Sequence, residues 1–206
     1  KAITAAQQSP PYYAGHNKNL KPRYDLSKAR RLMREAGYSN GLEISMMAPN
    51  NRYMNDAKIA EATAQMLGKI GIKVNLKTIP KAQYWYEFDA RTADMMMIGW
   101  HSDTNDSNNF NEFLTMCPDN YTGYGLYNGG NYCNKRVDEL AIAAQSEINL
   151  VKRAGLLKKI EQILHDEAAF VPYHWQMSVY AAKKNVKIEP VLNHIGIPYF
   201  GDLIIE

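Results

Sequence analysis

The sequence predicts an α/β fold, on three observations. Helix-spaced and strand-spaced apolar patterns alternate through the first half of the chain. The first two helical patterns each run into a glycine, Gly37 and Gly71. Met95-Met96-Met97-Ile98-Gly99-Trp100 is an unbroken apolar run, the signature of a central strand covered on both faces. Alternation of this kind layers helices against a sheet.

Residues 1–24 hold Pro10, Pro11, Gly15 and Pro22 with little apolar periodicity, which predicts an irregular arm or linker lying on the surface. Order begins at Tyr24-Asp25-Leu26-Ser27, where Asp25 or Ser27 can cap a helix. Ala29, Leu32, Met33 and Ala36 follow at helical spacing, and Gly37 ends the pattern. Leu42 to Ala48 predicts a strand, closed by Pro49-Asn50-Asn51. Asp56 to Ile70 is the clearest helix, with Ile59, Thr63, Met66, Leu67 and Ile70 on one face. Ile72, Val74, Leu76 and Thr78 alternate with Lys73, Asn75 and Lys77, as a half-buried strand does. A short helix over Ala82 to Ala90 precedes the apolar run.

Ser102 to Tyr132 is a long loop rich in Asn, Asp, Gly and Tyr. Two helices follow, one with Val137, Leu140, Ala141 and Ala144 on a face, the other with Leu156, Leu157, Ile160, Ile163 and Leu164. Phe170 to Ala182 reads as extended, and Lys183 to Glu206 as a mixed tail.

The chain is 206 residues long, 46% hydrophobic and 22% charged, with a formal charge of +3. Such a length buries a core without metal or disulfide staples. So small an excess of positive charge is not the footprint of a nucleic-acid partner. No apolar run approaches the ~20 residues of a membrane-spanning helix. None of the five histidines stands in a zinc-hydrolase pattern, and neither a Gly-x-Ser-x-Gly elbow nor a phosphate-binding glycine loop occurs. No catalytic residue, metal or cofactor is expected. The remote enzymatic alternative is a thiol hydrolase using Cys117.

Cys117 and Cys133 bracket a Pro/Asn/Gly-rich loop. They read either as a local disulfide, which suits an oxidising compartment, or as two unpaired thiols. A bridge closing about 15 residues would restrict the unfolded chain by about 3 kcal/mol. Tyr121, Tyr124, Tyr127 and Tyr132 either line a ligand site or pack the loop onto its own body.

Two loops that follow strands hold the candidate ligand groups. If those strands are parallel, both loops leave the same edge of the sheet, where open α/β sheets bind ligands. One loop carries Arg52 and the other Asp103. Such a pair can hold a zwitterion, the arginine forking onto a carboxylate and the aspartate accepting from an ammonium. The plainer alternative is that Asp103, Asp106 and Ser107 cap a helix starting near Asn108, with Arg52 a solvated surface charge.

Several stretches together resemble one family. They are Tyr24-Asp25-Leu26-Ser27-Lys28-Ala29 with Glu35-Ala36-Gly37-Tyr38-Ser39-Asn40-Gly41-Leu42-Glu43-Ile44, and Ala60-Glu61-Ala62 through Leu67-Gly68-Lys69-Ile70-Gly71-Ile72-Lys73-Val74. Gly99-Trp100-His101-Ser102-Asp103 follows, with Asp106 and Asn109-Phe110. Asn131-Tyr132-Cys133-Asn134 with Val137-Asp138, then Val171-Pro172-Tyr173-His174 and Lys184-Asn185-Val186-Lys187, complete the order. The sequence thus resembles family 5 extracellular solute-binding proteins, the peptide-binding components of ABC importers, from about residue 20 onward.

That resemblance carries further expectations. The chain is similar to the distal, C-terminal lobe of a two-lobed periplasmic binding protein, a mixed sheet flanked by helices. It lacks an initiator Met and a signal-peptide pattern, and family members are more than twice as long, so a C-terminal fragment is expected. Residues 1–23 would be an arm or linker, 24–177 the ligand-binding lobe, and 178–206 a tail that crosses back to the N-terminal lobe. Asp103 would hold a ligand ammonium and Arg52 a carboxylate, with Gly99, Trp100 and His101 as further contacts. A tryptophan of the dipeptide-binding members would fall near Lys81, where this sequence departs, with Trp85 four residues later. A Cys117–Cys133 disulfide is implied, because those members also place a cysteine on each side of this loop. The implied function is capture of a short, dipeptide-like peptide for import. The implied partners are that peptide, a membrane permease and the N-terminal lobe, without nucleic acid. The implied location is the periplasm, or outside a Gram-positive cell on a membrane tether. Within the family the alternative ligands are a nickel chelate, an oligosaccharide or an opine.

Overall fold

Parallel strand pairing organises one part of the chain, and a helix pair organises the other. The computed structural model describes residues 2–193 and 198–206, so residues 194–197 of the expected crossing tail lie outside the described residues. In order the elements are β1 (Ala2–Thr4), α1 (Leu26–Glu35), β2 (Leu42–Pro49), α2 (Asp56–Gly68), β3 (Ile72–Ile79), α3 (Lys81–Asp89) and β4 (Met95–Met96). There follow α4 (Asn108–Phe110), continued by a π turn over Asn111–Thr115, then α5 (Lys135–Ser146), α6 (Leu150–Asp166), β5 (His174–Gln176), β6 (Val186–Lys187) and β7 (Ile204–Ile205). Two units separate by their contacts. A sheet unit holds Arg23–Trp100 with Tyr127–Asn131, and a helical unit holds Lys1–Pro22, His101–Leu126 and Tyr132–Glu206.

In the sheet unit β2 lies between β3 and β4, parallel to both. Leu42 faces Ile72 and Pro49 faces Ile79 across one register, and Met46 faces Met95 across the other. The buried Met46, Met47 and Ala48 lie in the half of β2 that pairs on both sides. β3 alternates half-buried and exposed positions, as its sequence predicts. Met47, Ile79, Tyr84 and Phe88 form the core, with Trp85, Met96, Ile98 and Tyr127 packed against it. Each fully buried side chain of this size contributes about 1.5–3 kcal/mol.

The expected central strand over Met95–Trp100 is corrected. Only Met95 and Met96 pair, at the sheet edge, and β2 takes the centre. Beyond Met97 the backbone bonds to side chains instead of a ladder. The Tyr84 hydroxyl donates to the Met97 carbonyl at 2.6 Å, and Gly99 N–H donates to the Tyr53 hydroxyl at 2.7 Å. Aromatic side chains, not a second sheet neighbour, cover this apolar run. The face expected on α2 also shifts: Met66 is 59% exposed, while Asp56 and Ala60 are buried. Asp25 does cap α1, accepting from Lys28 N–H at 2.8 Å, yet α1 buries no residue fully.

In the helical unit α5 and α6 pack by the faces their spacing predicts. Val137, Leu140, Ala141, Ala144, Leu157, Ile160 and Leu164 are buried together with Met116. Asn134 and Asn149 cap the two helices through their side-chain oxygens. The N-terminal stretch is not the surface arm expected of it. β1 pairs antiparallel with β5, and Ala5, Ala6, Gln7, Ser9 and Leu20 are buried. The buried Glu161 carboxylate of α6 accepts from Gln8 N–H at 3.2 Å and Ser9 N–H at 2.9 Å. Those partners lie some 150 positions away, so no local periodicity announces them. β6 and β7 pair antiparallel. The α/β class and the flanking helices hold. The parallel and antiparallel strands, however, belong to separate small sheets.

Candidate functional site

The site grows from the loop that leaves β2. Asp56, 3% exposed at the start of α2, gathers this loop by its carboxylate. One oxygen accepts from the amides of Arg52 (2.9 Å) and Tyr53 (3.0 Å), the other from Ala57 (2.9 Å). Asn55 completes the turn with φ 61°, a conformation asparagine tolerates well. The loop so held presents Arg52 over aromatic rings. Its Cζ lies 4.5 Å from the Trp85 ring centre and 5.0 Å from that of Tyr53, and its Nε donates to the Tyr53 hydroxyl at 2.6 Å.

The Tyr53 hydroxyl ties this loop to the segment after β4. It accepts from Arg52 and from Gly99 N–H, and donates to the Gly99 carbonyl at 3.2 Å, which uses its full hydrogen-bonding capacity. A Cβ on Gly99 would stand 2.8 Å from the Tyr53 ring, so glycine is required here by close approach.

α3 supplies the third wall. Pro80, in the cap position, offers no side-chain cap, and Asn51 takes that role by accepting from Lys81 N–H at 2.7 Å. Lys81, Trp85 and Asp89 then follow at four-residue intervals on one face of the helix. Trp85 meets Tyr127 edge-on at 6.2 Å, and Trp100 lies 4.9 Å from Tyr127. Arg52, Lys81, Trp85, Asp89, Trp100 and Tyr127 line a cleft of about 410 Å³. Among the described residues, the side chains of Arg52, Lys81 and Asp89 enter no ion pair. Beneath the cleft, burial pushes the Tyr84 hydroxyl far above the ordinary tyrosine range and keeps it neutral.

The strands are parallel, so the loops after β2 and β4 leave one sheet edge. The structure brings Arg52, Gly99 and Trp100 together there. His101 and Asp103 belong to the helical unit, where His101 Nδ1 lies 3.8 Å from an Asp103 oxygen. The Asp103 side chain is 94% exposed. Burial of Tyr13, and secondarily the nearby Asp103 charge, raise the Tyr13 hydroxyl above its usual range. Asp106 serves the fold. Arg153 forks onto it at 2.6 and 3.0 Å, and it accepts from Asn108 N–H at 2.8 Å. The helix does start at Asn108, and Asp106, not Asp103, bonds its first amide.

The sequence offers Tyr127 as one of four loop tyrosines that either line a site or pack the loop, and it does not single out Lys81 and Asp89, the charged ends of α3, as site residues. The four-residue spacing of Lys81, Trp85 and Asp89 within a predicted helix was the available signal. Of the other loop tyrosines, Tyr124 and Tyr132 pack on the helical core and Tyr121 is exposed. Cys117 and Cys133 form a disulfide with Cα atoms 4.3 Å apart, which removes the sulfur a thiol hydrolase would use. No helix among the described residues is long and apolar enough to cross a membrane.

Residues 1–122 match the family model of bacterial extracellular solute-binding proteins, family 5 (middle). The chain belongs to this family. A dipeptide-binding protein of Escherichia coli K12 is 26% identical over 99% of the chain, which spans 38% of that relative. Di/tripeptide-binding protein 3 of Pseudomonas aeruginosa is 31% identical over 82% of the chain, 32% of the relative's length. A solved structure of the periplasmic binding protein DppA from Helicobacter pylori, in complex with the peptide STSA, superposes on the whole chain with TM-score 0.83 at 28% identity. The chain corresponds to 39% of that structure. This family 5 chain therefore spans well under half of the relatives it matches.

Proposed function

We propose that the chain is the C-terminal, ligand-holding part of a periplasmic solute-binding protein that captures a short peptide for an ABC importer. Arg52 carries the reading. It is a guanidinium without a carboxylate partner among the described residues, held over Trp85 at the rim of a cleft where parallel strands end. A planar fork so preset loses little freedom on gripping a carboxylate, here the peptide's C-terminus. The backbone of Gly99 and Trp100 borders the same edge. The exposed Asp103, with His101 beside it, is assigned the peptide ammonium on the family resemblance. The similarity to a dipeptide-binding and a di/tripeptide-binding protein supports the ligand class. The function proposed is binding, with no chemical step.

A two-lobed closure would exclude water and strengthen both contacts. The remaining lobe and a membrane permease are the proposed partners, and residues 178–206 the proposed return crossing. Calorimetric titration with a dipeptide tests this. The 206-residue chain should bind more weakly than micromolar, and micromolar or tighter binding would overturn the need for a second lobe. In the longer protein, Arg52→Ala and Asp103→Ala should each cost on the order of 2–5 kcal/mol of binding, as losing one partner of a desolvated charge pair does. An unchanged affinity removes that residue from the site.

A further inference from the structure

The cleft has unlike ends. α3 sets Lys81, Trp85 and Asp89 in a row along its axis, so that the midpoint, Trp85, lies about 6 Å from each end at 1.5 Å per residue. Arg52 rests on Trp85. Two cations, Lys81 and Arg52, thus occupy the N-terminal and middle parts of the row, and the carboxylate of Asp89 the C-terminal part. Trp85, Trp100 and Tyr127 line the cleft between the charges. The neighbouring Arg91 does not neutralise Asp89, because its guanidinium bonds the backbone carbonyls of Asp89 (3.5 Å) and Asn128 (3.4 Å).

We infer that this cleft selects peptides whose C-terminal residue carries a basic side chain. The inference rests on the reading of Arg52 as the carboxylate-binding residue and extends it to specificity. With the α-carboxylate on Arg52, and Lys81 adding a second positive charge on the same side, the C-terminal side chain leaves along the helix toward Asp89. The distance is one helical turn, which the four-carbon stem of a lysine covers. The aromatic rings accommodate that stem, attract its ammonium by their π faces, and deliver it to a carboxylate with no other partner among the described residues. An acidic C-terminal side chain would meet Asp89 as a like charge, and a leucine would leave Asp89 unpaired.

The test is titration of the longer, two-lobed protein with Ala-Lys, Ala-Leu and Ala-Glu, followed by tryptophan fluorescence. The wild type should bind Ala-Lys about fivefold more tightly than Ala-Leu, the size expected of one rim charge plus a cation–π contact. Ala-Glu should bind weakest. Asp89→Asn should abolish the lysine preference. Equal affinity for Ala-Lys and Ala-Leu, a preference for Ala-Glu, or a preference that survives Asp89→Asn overturns the inference and leaves the peptide reading intact. Binding of none of the three by the folded protein overturns both.

Discussion

The two units differ in how they pair their charges, although the buried Asp56 of the sheet unit serves its fold as Glu161 serves the helical unit's. In the helical unit the half-buried and buried charges are committed to structure. Arg153 forks onto Asp106 and bonds the Ala144 carbonyl, which joins the end of α5 to the loop before α4. The buried Glu161 carboxyl group holds two amides of the N-terminal stretch. In the sheet unit the paired charges, such as Lys73 with Glu43, are exposed and contribute little. Those at the concave edge, Arg52, Lys81 and Asp89, are left without ionic partners among the described residues. The comparison separates charges that hold the fold from charges placed for something outside it.

Glu161 is where the contrast can be broken most clearly. Burial pushes its carboxyl up to about 8, and the N–H groups of Ser9 and Gln8 only partly oppose this. Unfolded, the group titrates near 4.5. The folded state therefore binds the extra proton between these values, so stability is fullest below about 4.5 and is lost as pH rises toward 8. Thermal melts across that range should show the decline in the wild type, and Glu161→Gln should flatten it. A wild-type profile that rises with pH would refute the assignment.

Next in size is a paired comparison. Arg153→Met strips a carboxylate of its partner where both side chains are 20% exposed, and should cost about 2–3 kcal/mol by chemical denaturation, somewhat less than a fully buried pair. Arg52→Met leaves no carboxylate behind and should cost under about 1 kcal/mol, the loss of a cation–π contact. Equal losses would erase the distinction between the units.

Two smaller effects sharpen it. Tyr84→Phe leaves the buried Met97 carbonyl without its donor and should cost about 1–2 kcal/mol, measurable as a shift in denaturation midpoint. Asn134→Ala removes the α5 cap and should cost about 1 kcal/mol in the same measurement.

Much of the fold is legible locally. Val137, Leu140, Ala141 and Ala144 recur at helical spacing and are all buried, because a helix packed on one side needs only that stripe. Arg52 can be singled out because it follows a strand. Met95–Trp100 misleads for an equally physical reason: an apolar run states that it is covered but not by what, and here aromatic side chains do the covering. Tyr127 joins the cleft from a loop without periodicity, and the N-terminal stretch is buried by partners remote in sequence.

By itself the sequence determined the order of the main helices and of the parallel strands, a helix cap at Asp25 or Ser27, and the motifs by which family membership is recognised. These depend on neighbours within a few positions, where backbone geometry sets which side chains meet. The tertiary structure decided which strand is central, that Arg52 lies on Trp85 beside Lys81 and Asp89, and that Asp106, not Asp103, is consumed by an ion pair. Those outcomes depend on contacts between distant segments, and residue spacing along the chain carries no record of them.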